Sequence, residues 1–107
     1  AFCTDTAYTE EIIPFIQNVD LIYHEATFLS TEKETALTTS HSTANQAAMI
    51  AKKANVKSLI IGHFSSRYKY ITPFLTEAKN VFENTYIAYD GLKIEIDNEH
   101  NIYNVSK

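Results

Sequence analysis

The 107-residue chain is long enough for one domain, and at that size it buries only about 65% of the surface its unfolded form exposes. Its formal net charge of −4 excludes a generic basic nucleic-acid binder, because neutralising phosphates needs clustered Lys and Arg, so any RNA contact is local or supplied from elsewhere. With 45% hydrophobic and 21% charged residues and no transmembrane window or signal peptide, the composition is that of a soluble globular protein, and the single Cys3 excludes an internal disulfide and fits a reducing cytoplasm.

The chain opens with Ala1 rather than methionine, already inside what reads as a short strand, Phe2 and Cys3, that ends in Thr4 and Asp5. Such a start is expected of a truncated domain. Thr9 then caps a short helix whose first turn carries Glu10 and Glu11, where free amides and the helix dipole favour carboxylates. Ile12, Ile13, Phe15, Ile16 and Val19 supply its buried face, and Pro14, which lacks a backbone donor, kinks it or limits it to about two turns. Leu21, Ile22 and Tyr23 read as a second apolar strand delivering His24 and Glu25. Residues 26–42 lose periodicity, and their Thr, Ser, Glu and Lys content predicts a long exposed loop.

Thr43, three residues before Gln46, forms a capping box, and Ala44, Ala47, Ala48, Ala51 and Ala54 line one face of the helix that follows. Leu59, Ile60 and Ile61 read as a strand buried on both faces, and Gly62 lets the backbone turn or approach another group. The strand–helix–strand unit so formed is expected to be parallel and right-handed. Thr72 and Pro73 start a third helix that buries Phe74, Ala78, Val81 and Phe82 and ends near Asn84. Asp90-Gly91 predicts a tight hairpin joining residues 85–89 to residues 92–96. Residues 97–107, with His100, read as a polar tail.

Three strands thus end in residues that carry chemistry, Asp5, His24 and His63, and in open α/β sheets ligands bind at such carboxyl ends. Carboxylate and imidazole together suit a divalent metal such as zinc, and an aspartate can bridge two ions. A catalytic zinc takes about three protein ligands and a dinuclear site more, so this chain alone cannot complete a two-metal site. The same residues have plainer readings: an Asp after a strand as a turn or cap residue, a strand-end His as a hydrogen-bonded structural group, Cys3 as a small core residue. Glu25 and His24 are adjacent on a strand and point to opposite faces, which argues against direct pairing. Lys52 and Lys53 read as a solvated helix face. Arg67 with Tyr68 reads either as a phosphate- or base-binding pair or as ordinary surface.

Four segments in order, Cys3-Thr4-Asp5-Thr6, His24-Glu25-Ala26-Thr27-Phe28, His41-Ser42-Thr43-Ala44 and Gly62-His63-Phe64-Ser65-Ser66-Arg67-Tyr68, carry a family likeness. The chain resembles the carboxyl-terminal part of ribonuclease Z, the transfer-RNA 3′-processing endonuclease of the metallo-β-lactamase fold. The resemblance covers nearly all of the chain up to Ile96, and its His-Glu-Ala-Thr segment separates this branch from lactamase-like relatives. It implies that Asp5 bridges two zinc ions, that His63 is the last histidine ligand of one of them, and that His24 is a catalytic histidine outside the metal shell, placed to donate a proton to the leaving 3′ oxygen or to stabilise charge there. His41 would shape the loop beside the site, and Arg67 would help hold the RNA backbone. The implied chemistry is attack of a metal-bound hydroxide on the phosphodiester of precursor tRNA, by a cytoplasmic homodimer.

The family's upstream His-x-His-x-Asp-His segment, another upstream histidine and the long tRNA-gripping arm are absent from these residues. The chain alone is therefore expected to be inactive and to bind zinc poorly. Residues 1–107 form a single partial domain, and the implied fold class is α/β: the carboxyl-terminal half of a four-layer αββα sandwich. It has a mixed sheet with helices on one face, a terminal β-hairpin, and the other face left for the missing amino-terminal half. Two other readings stay open, a metallo-β-lactamase-fold phosphodiesterase with another substrate, and a non-catalytic α/β binding module whose histidines are structural.

Overall fold

The computed structural model describes residues 2–3, 8–88, 93–96 and 102–105; Asp5, the Asp90-Gly91 pair and His100 lie outside them. Thr9 caps the first helical segment as expected, its hydroxyl accepting from the Glu11 amide at 3.2 Å. A 3-10 turn, Glu10–Ile12, runs into the short helix α1, Ile13–Ile16, with Pro14 in its first turn, where the missing donor costs nothing. Ile16 is buried and Ile12, Ile13 and Val19 pack against the same core as expected, but Phe15, expected on that face too, is 86% exposed, because neighbouring helix positions diverge by about 100°.

After strand β2 (Leu21–Glu25) and a short helix α2 (Lys33–Thr38), the capping box forms as expected at the start of α3 (Ala44–Ala54), with both the Thr43 and Gln46 side chains engaged. Asn55 ends α3 in the left-handed conformation, φ 55°. The alanine face of α3 is fully buried, and such small side chains let the helix axis lie close to β2 and to strand β3 (Ser58–Gly62). Helix α4 (Thr72–Lys79) carries Pro73 in its first turn and buries Phe74 and Ala78. It stops before the expected Asn84; Val81 and Phe82 follow in a turn held by bonds of their amides to the Ala78 carbonyl.

The main sheet has the order β1-β2-β3-β4, with β1 at Phe2–Cys3 and β4 at Thr85–Ile87, and every pairing in it is parallel. Among the described residues, antiparallel pairing is confined to β5 (Lys93–Ile96) and β6 (Ile102–Val105). This departs from the expected hairpin: β4 does not pair with β5 but joins β3, with Leu59 opposite Thr85 and Ile61 opposite Ile87. The stretch read as a polar tail supplies β6 instead, from the β-prone run Ile102, Tyr103 and Val105.

Alternation along the strands separates two faces. Ile22, Leu59, Ile61 and Ile87 turn toward the helices and join Ala47, Ala51, Phe74 and their neighbours in one core. The opposite face carries Leu21, Tyr23, Ile60 and Tyr86, with Tyr23, Ile60 and Tyr86 side by side across three strands, and among the described residues none of these belongs to the helix-side core. Among the described residues, no helix is long and apolar enough to cross a membrane.

Candidate active site

Strands β2 and β3 end level with each other, Glu25 opposite Gly62, and the Ala26 amide extends the pairing by donating to the Gly62 carbonyl at 2.8 Å. A Cβ at Gly62 would run into the Tyr23 hydroxyl, so a larger residue there would have to push that ring aside. His63 then adopts φ 62°, a left-handed conformation uncommon for a residue with a side chain, and the chain leaves the sheet there. The Ser65 amide donates to the Thr27 carbonyl at 2.9 Å, which holds the departing loop against residues 26–28.

The segment expected to be an exposed loop is ordered differently. A 3-10 turn, Ser30–Glu32, and α2 occupy it; α2 buries only Ala36, too short a pattern to register as periodicity. Ser40, at φ 59°, reverses the chain after α2, and the His41 amide donates to the Ala36 carbonyl at 2.8 Å. Phe28 and Thr43 form a parallel bridge, with the Phe28 amide on the Ser42 carbonyl and the Ala44 amide on the Phe28 carbonyl. His41 is thereby delivered beside the end of β2.

Glu25 is the hub of what meets there. Its fully buried carboxylate accepts from His41 Nδ1 at 2.9 Å through Oε1, and through Oε2 from the Thr27 hydroxyl at 2.5 Å and the Ser42 amide at 3.2 Å. Thr27 Oγ1 also lies 3.1 Å from His63 Nδ1 and 3.4 Å from His41 Nδ1. The two imidazole rings are 5.4 Å apart between centroids. Glu25, Tyr23 and Gly62 share the sheet face away from the helices, and burial followed by the Glu25 charge pushes the Tyr23 pKa above its usual 10.0. The arrangement is a buried carboxylate orienting an imidazole, the general form of an acid/base pair.

His63 and His41, both named from the sequence, are brought together. His24 is not: it is fully buried on the helix side of the sheet, its Nδ1 donates to the Glu25 carbonyl at 2.8 Å, and its Nε2 is enclosed without a hydrogen-bond partner. An imidazole so enclosed stands apart from the cluster at the strand ends. Burial holds its pKa below the usual 6.5, against the opposing pull of the Glu25 carbonyl and carboxylate. Arg67 lies 5.2 Å over the Phe28 ring and 3.6 Å from Glu32, at the edge of the same cluster. Sequence reasoning missed Glu25 as the partner of His41, and missed Thr27. The signal for both is the two-residue period that puts positions 23, 25 and 27 on one face.

No protein-family model matches the chain. The ribonuclease Z of Cytophaga hutchinsonii is 50% identical over 91 residues, which are 85% of this chain and 29% of that protein. That of Azobacteroides pseudotrichonymphae is 50% identical over 96 residues, 90% of this chain and 33% of that protein. The chain is similar to part of ribonuclease Z. It spans about a third of the length of these relatives, so the likeness to ribonuclease Z covers nearly all of this chain and a minor share of theirs. Among solved structures, the metallo-β-lactamase fold protein YhfI from Bacillus subtilis superposes with a TM-score of 0.75 at 28% identity, over 81% of this chain and 35% of its own. Human tRNase Z, short form, gives 0.57 at 29% identity, over 73% and 25%. The sheet and helices are those of a partial metallo-β-lactamase domain.

That fold implies a metal, and His63 fits one. It is exposed at a strand end, and the contact of its Nδ1 with Thr27 makes Nε2 the nitrogen that would face an ion. Donor atoms of Glu25, His41 and His63 also lie within 4.8 Å of one another, close enough for one ion to reach all three. Yet His41 and Glu25 are bonded to each other at 2.9 Å, and that bond would have to open first.

Proposed function

We propose that this chain is part of a ribonuclease Z, a zinc-dependent endoribonuclease that removes the 3′ trailer from precursor tRNA and leaves a 3′ hydroxyl, working as a cytoplasmic homodimer. The observation that carries this reading is the meeting of Glu25, His41 and His63 at the ends of β2 and β3, in a chain half identical to ribonuclease Z over 90% of its length. Asp5 and His63 would hold a pair of zinc ions together with ligands from the rest of the protein. The pair, when bound, supplies Lewis-acid stabilisation of the phosphate and a water activated near neutral pH. His41 takes the proton-transfer role that the resemblance gave to His24. In support, its Nδ1–H is committed to Glu25, which leaves Nε2 as the ring nitrogen that would exchange a proton with a substrate. Arg67, held over Phe28, offers a cation to the RNA backbone.

The test uses the full-length protein carrying this chain and a precursor tRNA with a 3′ trailer. His41→Ala is expected to slow cleavage about 10²- to 10⁴-fold with metal content unchanged. His63→Ala is expected to lose metal. Normal cleavage by His41→Ala, together with loss of cleavage in a folded, metal-loaded His24→Ala protein, would return the role to His24. Failure of the unaltered protein to cut any trailer would end the reading.

A further inference from the structure

Thr27 touches every member of the cluster, and its hydroxyl carries a single proton. That proton goes to Glu25 Oε2, an acceptor only, at 2.5 Å. Toward His63 Nδ1, 3.1 Å away, Oγ1 is thus left to accept, which requires the proton of His63 to sit on Nδ1 and its lone pair on Nε2. We infer that Thr27 is a positioning residue: it fixes the tautomer and ring orientation of His63 and ties that residue to the carboxylate that orients His41. The inference rests on the proposed metal role of His63 and deepens it. One buried hydroxyl thus touches both the residue that would bind metal and the carboxylate that holds the residue that would move the proton. The backbone reinforces the placement, because the Thr27 carbonyl accepts from the Ser65 amide, which belongs to the loop led by His63.

The experiment compares Thr27→Val, Thr27→Ser and His63→Ala in the full-length protein, each first checked for fold by circular dichroism. Two readouts are taken: zinc affinity, by competition with a chromophoric chelator, and the tautomer of His63, by 15N NMR of histidine-labelled, metal-free protein. Outer partners of metal ligands typically set affinity by 10- to 100-fold, so Thr27→Val, which keeps the shape and removes the hydroxyl, should weaken zinc binding by about that factor. It should also shift His63 away from the Nδ1–H form, whereas Thr27→Ser should restore both readouts. A Thr27→Val protein with unaltered zinc affinity and tautomer overturns the proposal, as does a Ser variant no better than Val, which would mean that packing of the methyl is what matters. If His63→Ala leaves zinc binding intact, His63 is no ligand; the function proposed above loses a metal residue, and the coupling falls with it, even where the tautomer shift reports the hydrogen bond.

Discussion

Replacing Glu25 by Gln keeps the shape of the hub and changes only what it can accept. In the native arrangement Oε1 accepts from His41, and Oε2 accepts from the Thr27 hydroxyl and the Ser42 amide. The Ser42 donor is fixed in the backbone and cannot reverse, so the Gln oxygen will take the Oε2 position and its NH2 will face His41 Nδ1. Hydrogen bonds to charged groups contribute about 1.5–3 kcal/mol and neutral ones about 0.5–1.5, so weakening three at once while keeping them made should cost about 2–4 kcal/mol of stability. The larger effect is on proton transfer. With an amide donor facing it, Nδ1 must accept, so the ring can no longer carry protons on both nitrogens, the form that would give its Nε2 proton to the leaving oxygen. Loss of general acid catalysis is worth about 10²–10⁴ in rate. Single-turnover cleavage of precursor tRNA at saturating enzyme, with zinc content measured on the same sample, is the assay. Glu25→Gln cleaving at the native rate would refute the orienting role. Loss of zinc equal to that of His63→Ala would mean that the carboxylate binds metal instead.

Two further outcomes follow from the surroundings of the site. His24 is buried with its pKa held below 6.5, so the unfolded chain takes up a proton there that the folded one refuses. Its share of stability is complete above pH 6.5 and declines as pH falls below it, by up to about 1.4 kcal/mol per pH unit until the folded pKa is reached. Urea titrations at several pH values should therefore show a shallower acid slope in His24→Leu than in the unaltered protein; equal slopes would refute this. Gly62→Ala should destabilise by about 1–3 kcal/mol, because the added methyl meets the Tyr23 hydroxyl, and the double change with Tyr23→Ala should recover part of that loss in the same measurement.

Elements specified by local chemistry were legible in the sequence. The capping box at Thr43 and the alanine face of α3 each state their outcome within one or two helical turns, and the run Leu59–Ile61 could only be a strand covered on both sides. Where the outcome depended on distant partners, local reading failed. Thr85 to Ile87 looked like one arm of a hairpin because Asp90-Gly91 follows, yet a place beside β3 claimed it, and Ile102 to Val105 paired with β5 in its stead. The site shows the same division. His63 was readable because a strand ends beside it, but the pairing of Glu25 with His41 spans residues 25–41 and depends on the reversal at Ser40. Family likeness alone favoured His24, a residue whose burial only the fold reveals.

The bridge between Phe28 and Thr43 closes the base of the excursion that contains α2. A loop pinned in this way is insulated from its own length: doubling the residues it holds raises the entropy of closure by only about 0.6 kcal/mol, while the pinned ends stay where they are. Insertions placed before α2, which leave the Ser40 reversal and the bond between the His41 amide and the Ala36 carbonyl intact, should therefore be tolerated, and that segment offers a port at which a tag or a new recognition element could be grafted.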